Sequence, residues 1–312
     1  NKEISTPFFI AEERYNSIKN KFGVPIPGDI LLTSVGTIGI PYQVKEGDKF
    51  YFKDGNLTWI RKFSPEILPM YLYYWLESSY GKNILYNSLI GSSQKALTIE
   101  SLKKVKFPLP PIITQKKVVK VLSILDDQIK NNLKRIKLLE EAAELIYREW
   151  FVNLRFPEHE KVKIVDGVPE GWESLPFADW CIISGGGTPQ TSIEDYWNGS
   201  IPFYTPKDSV NQAYIIKTEK YISEKGVKNS STKVYDSNWV FITARGTVGK
   251  LNIPSREMAL NQSCYALKSN EDHSVYFTYS ALKNSVKQFK SASTGGVFDT
   301  IVTNTFKSIR TL

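Results

Sequence analysis

From residue 114 to residue 154 the apolar side chains return in alternating steps of three and four. The positions are Leu122, Leu125, Ile129, Asn132, Ile136, Leu139, Ala143, Ile146 and Trp150. A seam of this period, held for about four heptads, predicts one long helix that packs against another. At 1.5 Å per residue it would run for about 60 Å. Thr114 is placed to cap its start, and Pro157 is placed to stop it. Asn132 is the one polar member of the seam, and a buried Asn of this kind fixes register at some cost in stability. No second long heptad run exists in the sequence. The seam is therefore expected to meet a copy of itself, a segment outside this sequence, or another subunit.

Elsewhere the periods are shorter. ILLT (30–33) and VFIT (240–243) are compact apolar runs bounded by turn residues, which predicts buried strands. The stretches 70–89 and 275–291 carry helical spacing, and SLKKVKF (101–107) reads as a short helix or strand. These elements recur. GDILLTSVGTIGIPYQV (28–44) lies over SNWVFITARGTVGKLNI (237–253), so that Thr33, Gly36, Thr37 and Gly39 fall on Thr243, Gly246, Thr247 and Gly249. FFIAEE (8–13) resembles KYISEK (220–225), and LTIESLKKVKFPLP (97–110) resembles IVTNTFKSIRTL (301–312). A repeat at an offset of roughly 205–210 residues is a duplicated domain. The expected fold is α+β: two related mixed α/β domains joined by a long coiled-coil spacer helix. The expected boundaries are 1–110, 111–156 and 157–312. The first copy lacks the front that the second has, and the second stops where the first runs on into the long helix.

Charge and composition narrow the function. The chain has 312 residues, a net charge of +8 and 13% aromatic residues. A basic, aromatic-rich surface suits a polyanion such as DNA. The two cysteines, Cys181 and Cys264, lack CxxC spacing, which points to a reducing compartment. Two histidines leave little room for a structural zinc site or a His-based triad. No run of about 18 apolar residues could span a membrane. The N-terminus is not a signal peptide and carries no initiating Met, as in a fragment or a processed chain.

Candidate chemistry is mostly negative. FITARGTVGK (241–250) echoes a phosphate-binding loop, but that motif needs Gly at 244 and Ser or Thr at 251, where Ala244 and Leu251 stand. The first copy keeps the glycines and has Ile40 in place of the lysine, so the glycines read as turn scaffolding. The glycine run at 185–187, with Thr188, Thr191 and Ser192, is either a nest for a DNA phosphate or a flexible loop. PKD (206–208) has no second acidic–lysine element to make a nuclease site, and no nucleophile elbow or HExxH is present. The chain reads as a binder rather than a catalyst.

SGGGTPQT…YWNGSIPFYTPKD, ALNQSCYAL, GTVGK and above all PLPPIITQKKVVKVLSILDDQIKNNLKRIKLLEE carry a family likeness across essentially the whole chain. The sequence resembles the specificity (S) subunit of bacterial type I restriction–modification systems. The resemblance implies a non-catalytic, cytoplasmic, DNA-binding subunit that reads a split target with two target-recognition domains. Two spacer helices, packed antiparallel, set the distance between the halves. It implies two methyltransferase (M) subunits using S-adenosylmethionine for adenine methylation, and restriction (R) subunits using ATP and Mg. No cofactor or metal is expected on this chain itself. The second spacer helix is absent after Leu312, which raises self-association through the first. Such families do not fix base-reading residues, so the candidates rest on chemistry. Arg245 suits guanine, Asn261 and Gln262 suit adenine, Ser263 suits either base, and Lys207 and Lys250 suit phosphates. Gly186, Thr188, Thr191 and Thr247 join them, with Ser34, Thr37, Gln94 and Lys95 in the first copy; Val35 stands where Arg245 does. A standalone DNA-binding protein, or a coiled-coil scaffold without a methyltransferase partner, is the alternative.

Overall fold

The computed structural model describes residues 8–52, 55–91, 95–270, 273–293 and 300–312. Two compact units divide the chain, residues 1–132 and 133–312, with the division inside the long helix.

The first unit begins with α1 (Glu12–Phe22) and a three-stranded antiparallel sheet of β1 (Ile30–Thr33), β2 (Pro41–Gln43) and β3 (Leu57–Ile60), ordered β2-β1-β3. Successive strand residues face opposite sides. Ile30 and Leu32 therefore share one face, where they are fully buried against Trp75, Leu76, Leu85 and Leu97. The expected helix over 70–89 is two helices, α2 (Pro69–Glu77) and α3 (Ser79–Asn87). Ser78 makes the break: its hydroxyl donates to Trp75 O (2.7 Å) and accepts from Gly81 N (3.0 Å), closing one helix and capping the next. The segment left open between helix and strand folds as a helix, α4 (Ile99–Lys104), capped by Thr98.

The long helix, α5, spans Ile112–Tyr147 and passes into a π-helical turn, Arg148–Val152. It starts two residues before Thr114, which is not its cap: Thr114 N bonds Pro111 O (2.8 Å) within the first turn. The start is fixed instead by Gln115, which is completely buried. Gln115 Oε1 accepts Leu68 N (2.9 Å), and its Nε2 donates to Glu66 O and Pro110 O (both 2.8 Å). The helix also ends ahead of Pro157. Tyr147 turns into the second unit's core against Phe151 and Phe277, and the last turn widens there. Along α5 the seam faces solvent: Leu125, Ile129, Asn132, Ile136, Leu139, Ala143, Ile146 and Trp150 are exposed and Leu122 is half-buried.

The second unit opens with the hairpin β4 (Ile164–Val165) and β5 (Val168–Pro169), then β6 (Leu175–Pro176), α6 (Phe177–Trp180), β7 (Cys181–Gly185), β8 (Ile201–Tyr204), β9 (Tyr214–Ile215) and β10 (Lys220–Ile222). It continues through α7 (Glu224–Lys228), β11 (Val234–Tyr235), β12 (Val240–Thr243), β13 (Leu251–Pro254), β14 (Met258–Leu260) and β15 (Cys264–Ser269). It closes with α8 (Val275–Ser293), α9 (Thr303–Ser308) and β16 (Arg310–Thr311). Two sheets pack together, ordered β7-β15-β12-β13-β9 and β10-β8-β14-β11. β12 is buried on both faces. Val240 and Ile242 meet Phe177, Leu282, Phe289 and Phe306 on the helical side. Phe241 meets Tyr204, Tyr235 and Met258 on the other. A strand buried on both sides is apolar without alternation, as VFIT is.

The repeat is structural. Thr33 and Thr243 end equivalent strands, and each Oγ1 accepts the backbone N–H seven residues on, Ile40 and Lys250, at 2.9 Å. Gly36 and Gly246 have φ +74° and +78°, and Gly39 and Gly249 have +81° and +83°. These left-handed angles favour glycine. Ala at Gly246 should cost about 1–2 kcal/mol, because its added Cβ is strained but meets nothing within 4 Å. Ala at Gly249 should cost more, since its Cβ would lie 2.9 Å from Val286 Cγ1. Urea midpoints at unchanged slope will rank the two.

Candidate nucleic-acid interface

In the second unit the turn between β14 and β15, Asn261-Gln262-Ser263, gathers three other segments. Asn261 N bonds Tyr204 O (3.0 Å), which draws in the end of β8. Ser263 O accepts Ala244 N (2.8 Å) and Arg245 N (3.3 Å), which draws in the turn after β12. Gln262 Oε1 accepts the Thr188 hydroxyl, which draws in the glycine loop after β7. Four segments distant in sequence thus share one edge of the unit.

The glycine loop is held by close packing. A Cβ on Gly186 would lie 2.2 Å from Asn261 O, and one on Gly187 would lie 2.2 Å from Ser231 Oγ. Gly187 N donates to Leu260 O (3.0 Å). Absence of side chains is what lets the loop dock, and Ser231 and Thr232, which no motif singled out, form the other wall of the dock. Thr191 lies farther along the same loop, exposed, where Gln190 bonds Ser192 (3.1 Å) and Trp197 Nε1 bonds Gln190 O (3.2 Å).

The remaining candidates sort by what their polar atoms already hold. Arg245, Thr247 and Gln262 are exposed at the tips. Asn261 Oδ1 accepts Ser263 N (3.1 Å), so this side chain shapes the turn. Lys250 reaches Asn211 Oδ1 (2.9 Å) at the far end of its turn. Lys207 is exposed beside Asp208, whose carboxylate accepts Thr205 N, Thr205 Oγ1 and Glu219 N at 2.7–2.8 Å. That aspartate is a helix cap and loop tie. The backbone N–H groups at both ends of the 244–250 turn point inward. Gly249 N donates to Thr243 O (2.9 Å), so this glycine does not present its N–H group to a phosphate.

In the first unit the frame is the same and the furniture differs. Ser34 N bonds Asn56 O (2.7 Å), matching Ala244 and Ser263, and Leu97 N bonds Ser34 O (2.9 Å), matching Ile301 and Ala244 (3.0 Å). By register Gly55 occupies the place of Gln262. Ser34 is buried, its hydroxyl bonded to Leu32 O and Thr58 Oγ1. Thr37 is exposed at the tip. Lys95 lies over the Tyr86 ring, 4.7 Å from its centroid. Gln94 lies outside the described residues.

Beside α5 in the second unit runs a groove of about 610 Å³, lined by Ile136, Leu139, Ala143, Tyr147, Ile253 and Tyr279. Lys283 and Glu144 pair at its rim (2.7 Å). Among the described residues no helix is long and apolar enough to cross a membrane. No group of three His, Cys, Asp or Glu among them could hold a metal ion.

Fold and loops together define a duplicated α+β recognition module: one turn frame used twice, with unlike residues at its tips. The chain belongs to the family of the type I restriction modification DNA specificity domain, which matches residues 2–141 and again residues 169–310. It is 28% identical over 277 residues to the type I restriction enzyme MjaIX specificity subunit of Methanocaldococcus jannaschii, covering 84% of this chain and 61% of that protein. It is 24% identical over 309 residues to the type I restriction enzyme HindI specificity subunit of Haemophilus influenzae, covering 78% and 67%. Its fold is that of the type I restriction–modification S subunit from M. genitalium (TM-score 0.55, 17% identity, 94% of this chain and 72% of that one). The chain thus spans about two thirds or less of these two curated relatives.

Burial pushes the Cys181 thiol up to about 12 and the Cys264 thiol higher still. The thiolate is the reactive form, and an ordinary cysteine titrates near pH 8.5. Labelling of the native chain by a disulfide reagent should therefore stay slow and flat from pH 7 to 9. Both thiols should react once guanidinium unfolds it.

Proposed function

We propose that the two units each read one half of a split DNA target, and that the chain brings methyltransferase and restriction subunits to that target. The observation that carries this reading is the shared turn with unlike tips. Arg245 stands against Val35, Lys250 against Ile40 and Gln262 against Gly55, on backbones closed by the same threonine and glycines. A frame that keeps its geometry while polar residues at its tips in one unit give way to apolar ones or glycine in the other suits two domains reading different sequences. Family membership supports DNA as the ligand, and the net charge of +8 supplies the phosphate attraction.

In this reading residues 1–110 and 157–312 are the recognition domains and 111–156 the spacer. The chain itself is non-catalytic and binds no cofactor. S-adenosylmethionine belongs to two methyltransferase subunits that modify adenine, and ATP with Mg to the restriction subunits, in a prokaryotic cytoplasm. The exposed seam from Leu125 to Trp150 and the adjoining groove need a second apolar helix, which makes a coiled coil. A second copy of this chain could supply it, giving a two-fold assembly and a palindromic split site.

Arg245→Ala should relax preference at one base pair and cost about 1–3 kcal/mol there, as loss of a bidentate guanine contact does. Uniform weakening over all sequences would mark Arg245 as a phosphate contact instead. Binding should fall steeply with salt, by about 0.9 log units per decade for each phosphate neutralised. Light scattering should give twice the mass of one chain; a monomer with its helix intact would remove the second copy as the seam's partner.

A further inference from the structure

Among the described tip residues, Gln262 alone has its amide held by a partner from another loop. Its Oε1 accepts the Thr188 hydroxyl, and Gln262 remains exposed. Gly186 and Gly187 put Thr188 there, since a side chain at Gly186 would run into Leu260 and Asn261 and one at Gly187 into Ser231 and Thr232. A glutamine on a turn is otherwise a flexible chain with three side-chain torsions and two equivalent amide orientations. Here the Thr188 hydroxyl donates to that oxygen, so the oxygen faces Thr188 and the NH2 group lies on the other side of the amide. The oxygen has two lone pairs. One serves Thr188 and the other stays available.

We propose that Thr188 is a positioning residue, and that Gln262, held by it, reads an adenine in the half-site of the second unit. Nε2 donates to adenine N7, while the second lone pair of Oε1 accepts from adenine N6, the bidentate pattern glutamine makes in the major groove. Thr188 does not touch the base. It fixes the amide so that the paired contact loses less freedom on binding. Asn261, the other amide in this turn, is half-buried and its Oδ1 turns back to accept Ser263 N (3.1 Å) within its own turn, so Gln262 is the more outward of the two. The first unit, with Gly55 at this place, has no equivalent reader. The proposal rests on the reading of these loops as the DNA interface.

The test is selection by the full chain from a randomised duplex library, followed by titration against every single base-pair change in the selected site. Gln262→Ala should flatten discrimination at one A·T pair by about tenfold and leave the other positions as they were. Thr188→Val should flatten the same pair, and Thr188→Ser, which keeps the hydroxyl, should restore it. The double variant should be no worse than Gln262→Ala alone, as for residues acting as one unit. Gln262→Glu keeps the acceptor and loses the donor, so preference at that pair should move toward cytosine, whose N4 donates. If Thr188→Val weakens all sequences equally, or leaves the A·T preference intact, the proposal fails while the interface stands. If the wild-type chain selects no sequence, the reading of the interface fails and takes the proposal with it.

Discussion

One hydroxyl closes the turn on which each unit is organised. Thr243 Oγ1 accepts the N–H of Lys250 at 2.9 Å and donates to Thr247 O, while its backbone carbonyl takes Gly249 N. Thr33 holds Ile40 and Gly39 in the same manner. Between the two ends of that clasp the chain must reverse within seven residues, and two left-handed glycines make the reversal possible. Everything near the tip is referenced to this clasp. The strand pairing on one side and the carbonyl of Ala244 or Ser34, which accepts from the segment before α9 or α4, both follow from where the reversal occurs.

The clasp was legible in the sequence because it occurs twice. ILLTSVGTIG and FITARGTVGK share their threonines and glycines at the same spacing, and the lysine that would have made a phosphate loop is present in one only. The long helix was legible from its period. The α+β duplication followed from both. What stayed hidden depends on contacts between segments far apart. Gln115 looks like an ordinary helix-surface residue, yet it is buried and satisfies three backbone groups, two of them from the 66–68 segment. Its sequence neighbours carry no trace of that. Gly186 and Gly187 were open to two readings, nest or flexible loop, because composition does not say what backbone lies 2.2 Å away. Asn261 and Gln262 are chemically alike, and only the Ser263 N–H on one and the Thr188 hydroxyl on the other separate the turn former from the exposed tip.

The two units also show how much the surroundings of a shared frame can change. In the second, the face of the central strand carrying Phe241 is closed by a whole second sheet. In the first, the equivalent strand holds Leu31 between Tyr42 and Trp59, with Arg61 stacked over Trp59 at 4.0 Å. The clasp is indifferent to which solution is used, because its bonds are local to seven residues.

That locality has an evolutionary consequence. Arg245, Thr247 and Gln262 are exposed, and their side chains contribute little to the core that Val240, Phe241 and Ile242 anchor. Exchanging such residues ordinarily changes stability by about 0.5 kcal/mol or less. Under the proposed reading of these tips, a lineage can pass from one target to another through single substitutions, each of them foldable. On that reading a new specificity need not cross a valley of misfolded intermediates, and drift at the tips is checked by the DNA they meet rather than by folding.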